Sequence, residues 1–302
     1  MIENRNIIDT LFNFMSVKGI GPAQTNKLLL SLGGNRTTVS LYEQAKALLN
    51  HSQREEFESN KDQNVEITSK FLVNFISVQD NAYPEALKNC LKNATPPVLS
   101  VIGNIDLLQK KMVAFSGSRN VSEKGIKITE DVTSLLVEQD VCIVSGYAKG
   151  VDFAAHHAAL KNNGSTVIIL PEGINHFRIK RELKEVWDWD RVLVISEFQP
   201  NEKWMASRAM KRNSTIIGLS DVVVVVEAGA TGGSFDAGEK TLQLGKYLFV
   251  PQYRVVPESA AGNNILLNRG AFPLKMSQET MKPNLTKMME LLEQRDKYSL
   301  FV

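Results

Sequence analysis

The sequence predicts an α/β protein in which a doubly wound, mostly parallel sheet follows a small all-α domain. Three observations carry that prediction. Six short apolar runs, at 112–115, 141–144, 166–170, 192–195, 221–226 and 247–250, are separated for the most part by helical segments at 123–138, 153–161, about 177–187, 205–218 and 234–244. A run as continuous as the five valines from Val222 to Val226 lacks the polar alternation of a half-exposed strand, so it is buried on both faces, as in a parallel sheet covered by helices. Residues 141–160 show the repeating unit most clearly: an apolar strand, a tight loop of Ser145, Gly146 and Gly150, and an alanine-rich helix that Asp152 opens. Together these give a Rossmann-like architecture.

The chain ahead of that domain reads as helical. Leu11, Phe12 and Met15 precede Gly19-Ile20-Gly21, Pro22 suits the first position of the next helix, and an apolar stripe continues to Leu32. Residues 7–32 therefore resemble a helix-hairpin-helix (SAM-like) unit, whose turn amides can meet a phosphate; a hairpin that only packs would show the same pattern. A further helix is expected over 42–57, and the polar run 58–69 reads as a connection. Pro96 and Pro97 preclude a continuous helix across them. The expected organisation is a helical domain at 1–70, a connection at 71–95, the Rossmann-like domain at 96–275 and a short helical tail at 276–302. In the tail, Leu285, Met288, Met289 and Leu292 fall at helical spacing and form a packing stripe.

At 302 residues the chain exceeds one domain of roughly 100 to 200 residues. Its 43% apolar and 23% charged content suits a protein with a full buried core. A formal charge of +2 decides nothing about nucleic acid, because a local basic groove can coexist with a near-neutral total. Cys90 and Cys142 match no metal spacing and read as buried, reduced thiols. The opening Met-Ile-Glu-Asn-Arg-Asn lacks the pattern of a signal peptide, and no apolar run reaches the roughly 18 residues of a membrane helix. The expectation is a soluble, cytoplasmic protein with no membrane partner.

In a parallel sheet the loops that follow the strands share one rim. Here they are Ser116-Gly117-Ser118-Arg119, Ser145-Gly146 with Lys149 and Gly150, Pro171-Glu172-Gly173, and Glu227 to Ser234 with Gly232 and Gly233. Small residues leave a crevice lined by backbone amides, and helix N-termini beside Lys149 favour a phosphate-bearing ligand. Arg208, Lys211 and Arg212, spaced i, i+3, i+4, share one helix face. Tyr147, Phe153 and Phe177 are aromatic groups able to stack a base. Enzyme signatures are missing: His51, His156, His157 and His176 form no metal set, Gly-x-Ser-x-Gly is absent, and the glycines fit neither G-x-G-x-x-G nor Walker A spacing. The adjacent His156 and His157 point to different helix faces, and one of them reads as a packing residue. These residues leave nucleotide and nucleic acid both open.

Taken in order, the motifs resemble the DNA-processing protein A (DprA, also called Smf) family. The resemblance rests on Tyr83-Pro84 with Leu87, Pro96-Pro97-Val98-Leu99, Gly103-Asn104, Gly117-Ser118-Arg119, the stretch from Ser145 to Asp152, and Ala155-His156. It continues through Ser196-Glu197, Lys211-Arg212-Asn213 and Val226-Glu227-Ala228, over about 190 residues, to Gly270-Ala271. The resemblance implies a cytoplasmic, homodimeric single-stranded DNA binder that protects strands in natural transformation and helps load a RecA-type recombinase, with no cofactor and no turnover. It also implies that Arg119, Lys149 and Arg212 hold phosphates, that Asn213 and the Gly117 and Gly146 loops line the groove, and that Phe153 touches a base. Ser118, Ser145, Gly150, Lys211, Gly232, Gly233 and Ser234 complete the expected DNA and phosphate contacts. This chain has Arg212-Asn213-Ser214 where the family has Arg-Asn-Arg, and Gly232-Gly-Ser-Phe-Asp-Ala237 where it has Ser-Gly-Ser-Leu followed by Thr-Ala. Two alternatives share the fold: a nucleotide-binding sensor in a defence system, and an enzyme resembling nucleotide phosphoribohydrolases, for which Glu239 would be the carboxylate.

Overall fold

The structure is a computed structural model describing residues 5–32, 38–60, 65–277 and 282–299. Parts of the 58–69 connection, of the 276–302 tail and of the opening six residues lie outside the described residues. Two compact units are present: Met1–Ile102 with Glu172–Arg178 and Ile195–Met205, and Gly103–Pro171 with Ile179–Val194 and Ala206–Val302.

The first unit begins with four helices, α1 (Arg5–Ser16), α2 (Pro22–Ser31), α3 (Thr38–Ala47) and α4 (His51–Ser59). Their apolar faces meet around Leu11, Phe12, Phe14, Leu28, Leu41 and Phe57. Phe14 meets Phe57 edge to face at 6.0 Å, and Tyr42 stacks on the same ring at 5.1 Å. Helix formation over 42–57 is interrupted, because the Asn50 side chain accepts from the Gln53 amide and caps a new helix.

The α1–α2 turn is closed by its own chain. Gly19 takes φ +84°, which only glycine adopts without strain. The Lys18 amide donates to the Glu56 carboxylate at 3.2 Å, Gly21 donates to Gln24 Oε1 at 2.9 Å, and Ile20 donates to the Val17 carbonyl at 3.0 Å. Donors that could have met a phosphate are thus occupied from within, so the turn is that of a packing hairpin.

Residues 71–95, which the sequence presents as a connection, carry β1 (Asn74–Ser77) and α5 (Glu85–Leu91). β1 pairs antiparallel with β2 (Val98–Gly103). Tyr83 is buried and donates to the Pro96 carbonyl at 2.7 Å, tying the start of α5 to the double proline.

The second unit contains β3 (Met112–Ser116), α6 (Glu123–Val137), β4 (Cys142–Ser145), α7 (Val151–Lys161), β5 (Thr166–Ile169), α8 (Ala206–Leu219), β7 (Val222–Val225), α9 (Gly233–Gln243), β8 (Tyr247–Pro251), α10 (Asn263–Asn268), β9 (Phe272–Leu274) and α11 (Thr286–Ser299). β6 (Val192–Ser196) lies between β5 and α8 in sequence. Among the described residues of the second unit the strands are ordered β5-β4-β3-β7-β8-β9. β4, β3, β7, β8 and β9 pair in parallel, as do β4 and β5. The chain winds outward from β3 through β4 to β5 and later returns to β7 on the other side of β3, so the switch point falls between β3 and β7. This is the Rossmann-like, mostly parallel arrangement that the valine runs predict. Leu285, Met288 and Leu292 enter the core with Val222, Val224 and Phe249, as the packing stripe requires, and Met289 packs against its edge.

Two expectations need correction. Residues 177–187 form no α-helix: 3-10 turns at Ile174–His176 and Arg181–Leu183 flank extended backbone at Phe177 and Lys180. Phe177 and Leu183 are both buried, and six residues apart they would lie on different faces of a helix. Of the cysteines, Cys142 is fully buried, with its thiol pushed up to about 12 by that burial, but Cys90 is only partly buried on the short helix α5.

Candidate functional site

Two loops at the carboxyl ends of β3 and β4 interlock. Gly150 takes φ +76°, and a Cβ there would strike the Ser118 carbonyl and lie 2.9 Å from the Arg119 Cα. A Cβ on Gly117 would collide with the Val151 side chain. Gly150 lets one backbone lie on the other and Gly117 makes room for the Val151 side chain, so the backbone of the exposed Arg119 packs on the residue that follows the exposed Lys149. Ser118 donates to the Glu227 carbonyl at 2.8 Å and so joins β3 to the loop after β7 at the switch point.

Rim amides are less available than the small residues suggest. Ser118, Asn120, Ala148 and Ala228 all donate within the protein, to the Glu227 carbonyl, Ser118 Oγ, the Asp152 carboxylate and Asn263 Oδ1. Ser145 is buried and its hydroxyl donates to the Phe115 carbonyl at 2.7 Å. Gly173, in the first unit, presses on the carbonyls of Gln199 and Pro200.

Beneath the β4 loop lies a buried polar layer. Arg212 is only 7% exposed, in contrast to the exposed Lys211, and its Nη1 donates to the Ile169 carbonyl at 3.0 Å. A Cβ on Gly146 would overlap both the Arg212 guanidinium and the Asp152 carboxylate, so Arg212 supports the loop from below. The shared basic face expected of Arg208, Lys211 and Arg212 is thereby corrected: Arg212 precedes the buried Thr215 and Ile216 by three and four residues and turns inward with them. His156, fully buried, contacts the Gly146 carbonyl through Nε2 at 2.5 Å and Thr166 Oγ1 through Nδ1 at 2.7 Å. Burial pulls its pKa down to about 4. It is the packing histidine of the pair, whereas His157 stacks on Phe153 at 5.8 Å.

The sequence reading overlooked Lys180. Its ammonium stands 4.3 Å from the Tyr147 ring centroid and 5.6 Å from that of Phe153, and donates to the Tyr147 carbonyl at 2.8 Å. Burial pulls the Lys180 pKa below the usual range, opposed by the charges of Asp152 and Glu182, with Lys149 adding to the lowering. Tyr147, its hydroxyl accepting from the Lys180 amide at 3.0 Å, is pushed up to about 12, chiefly by burial. One cation therefore gathers two rings, Tyr147 from the loop that carries Lys149 and Phe153 from α7. The third proposed aromatic, Phe177, lies elsewhere: it is buried in the first unit against Phe71 at 5.7 Å.

On the other side of the switch point, Glu227 is buried and accepts from Ser122 N and Oγ, from the Tyr253 hydroxyl and from Ser259 Oγ. Burial and the Glu227 charge push Tyr253 far above the usual phenol range. This carboxylate is a structural hub joining three loops. Gly232 and Gly233 are exposed, Ser234 is half-buried, and Asn213 donates to the Gly233 carbonyl at 3.4 Å. Lys211 and Asn213 line a pocket of about 210 Å³ with Met210, Asp236, Ala237 and Lys240. Glu239 pairs with Arg269.

The profile of the family described as DNA recombination-mediator protein A matches residues 74–284. The chain belongs to this family. Its relative from Streptococcus pneumoniae, DNA processing protein DprA, is 34% identical over 207 residues, which cover 68% of this chain and 72% of that protein. The X-ray structure of DprA from the same organism matches with a TM-score of 0.68 at 28% identity, over 91% of this chain and 95% of that one. DprA from Helicobacter pylori, described for its single-stranded DNA binding mode, matches with a TM-score of 0.61 at 25% identity, over 76% of this chain and 98% of that one. The span matched by the DprA family profile starts at β1 and takes in every rim loop.

Proposed function

We propose that the chain is a sequence-independent single-stranded DNA-binding protein of the DprA type, which protects strands and assists loading of a RecA-type recombinase in transformation and recombination. It acts without turnover, as a homodimer in the cytoplasm. The observation that carries strand binding is the interlocked rim, on which the Arg119 backbone packs on Gly150 next to the exposed Lys149, with the rings of Tyr147 and Phe153 gathered by Lys180. Adjacent cations suit successive phosphates, and rings beside them suit stacked bases without regard to sequence. In this reading Gly117, Ser118, Gly146 and Gly150 shape the loops and Arg212 supports them, while Lys211, Asn213 and the Gly232–Ser234 turn extend the path. Family membership, under a description that names recombination mediation, supports the recombinase role. The strand-binding mode named for the Helicobacter pylori relative supports the ligand class. The phosphoribohydrolase reading is disfavoured because its carboxylate, Glu239, is held by Arg269.

The test is anisotropy of labelled oligo-dT with the purified protein, competed by unlabelled strand, by duplex and by mononucleotides. Displacement by single strands alone is expected, with affinity at least about tenfold weaker in Arg119→Glu and in Lys149→Glu. Unchanged affinity in both variants would remove the rim from the binding site. Displacement by one mononucleotide and by no strand would assign the fold to nucleotide sensing.

A further inference from the structure

The loop that follows β8, residues 252–262, reaches the same rim as the loops after β4, β3 and β7, because these four strands run parallel. It is fixed at three points. The Tyr253 hydroxyl and Ser259 Oγ both donate to the Glu227 carboxylate, and the Gly262 amide donates to the Ala228 carbonyl at 2.8 Å. A Cβ on Gly262 would strike the Gly229 carbonyl, so the loops after β7 and β8 lie backbone on backbone, as those after β3 and β4 do. Tyr253 and Ala260 enter the core cluster that contains Ile128 of α6 and Val151 of α7, which puts the loop on the face of the sheet that those helices cover. Between its anchors the chain projects: Arg254, Val255 and Val256 are exposed, Val255 at 83%. Lys124, exposed in the first turn of α6, holds its ammonium 5.3 Å from the Tyr253 ring centroid and so stands at the base of this projection. Among the described residues, neither the Lys124 nor the Arg254 side chain has an ion pair or a hydrogen bond.

We infer that Lys124 and Arg254 form a second phosphate-binding station for the single strand, across the switch point from Arg119 and Lys149. The inference rests on the single-strand reading above. Both side chains carry only donors, which backbone phosphate oxygens accept whatever the base sequence. Lys149 follows β4 and Arg254 follows β8, three strand spacings apart, or about 14 Å. Each rim loop between them is tied to the next: Gly150 lies on Ser118, Ser118 donates to the Glu227 carbonyl, and Gly262 lies on Gly229. The two stations are therefore held in fixed relation, and a strand seated on the first meets the second as an intramolecular step. Glu123 and Glu258 are also exposed on these segments, so the pair offers discrete phosphate contacts and not a broad basic field. A protein partner would find only two exposed valines here as apolar anchors, whereas a strand finds two cations continuous with the rim.

The experiment measures competition by unlabelled oligo-dT, from the dinucleotide to about 16 nucleotides, against a labelled strand on the full chain, with a salt series at the greatest length. Three proteins are compared: the wild type, a double variant with Lys124→Gln and Arg254→Gln, and a charge-keeping double variant with Lys124→Arg and Arg254→Lys. The glutamine variant should match the wild type on the shortest strands and fall about tenfold behind on the longest, where its slope of log affinity against log salt should be shallower by about 1.4. The charge-keeping variant should follow the wild type throughout. An equal deficit at every length, an unchanged slope on the longest strand, or a charge-keeping variant as weak as the glutamine one would overturn the second station while leaving strand binding intact. Failure of the wild type to bind any strand would overturn the strand-binding reading and this inference with it.

Discussion

At His156 the surroundings determine which proton the ring keeps. The Gly146 carbonyl can only accept, so Nε2 carries a hydrogen, while the Thr166 hydroxyl stands 2.7 Å from Nδ1 and 2.9 Å from the Ile143 carbonyl, to which it donates. Burial lowers the folded pKa to about 4 and so favours the neutral ring. The unfolded chain, with a histidine pKa of roughly 6.5, then takes up a proton first as the pH falls. This contribution to stability is complete above about pH 6.5 and is lost as the pH drops toward 4, by up to about 3 kcal/mol. Urea unfolding midpoints across that window should fall more steeply for the wild type than for His156→Gln; parallel falls would refute the assignment. The sequence showed that one of two adjacent histidines packs, but spacing on a helix does not say which face is inward. The same limit applies to Arg212, whose inward turn follows from the apolar residues one turn further along α8 and not from its basic neighbours.

At the scale of elements, α4 exists as a separate helix because Asn50 caps it. Its side chain accepts from the Gln53 amide at 3.0 Å, and Gln53 Oε1 accepts from the Asn50 amide at 3.2 Å. Asn50→Ala should cost about 1 kcal/mol of unfolding free energy, and Asn50→Ser should restore most of it. A denaturant titration in which neither variant shifts the midpoint would mean that packing alone holds the helix. The Asn-x-x-Gln signal was present in the sequence, yet the surrounding helix formers read continuously across it. The reverse error occurred over 177–187, where helix-forming composition is overridden because Phe177 and Leu183 must both be buried. Lys180 lies in this stretch, and its extended backbone, which a helix would not give, brings its amide to the Tyr147 hydroxyl. Elements read with least ambiguity were those with one strong requirement, such as the valine strand β7 buried on both faces.

For the whole molecule, strand class and helix alternation were legible because each is written locally, whereas sheet order was not. Which strand pairs with which depends on long-range contacts that no single segment encodes, so the switch point between β3 and β7, and the rim that it organises, emerged only with the fold. A net charge of +2 also means that any strand affinity must come from where cations sit and not from the total. The proposed single-strand binding predicts a salt dependence set by the number of phosphates held, with a slope near −0.7 per contact in log affinity against log salt. Arg119→Gln and Lys149→Gln should each flatten that slope by about 0.7, and the double variant by about 1.4. Lys161 is exposed at the opposite end of α7, about 15 Å along the helix axis and beyond the Debye length of roughly 10 Å at 0.1 M salt. Lys161→Gln should therefore leave the slope unchanged. If the rim variants lowered affinity equally at every salt concentration, their side chains would be shaping the loops instead of holding phosphates, and the strand would have to follow another face of the protein.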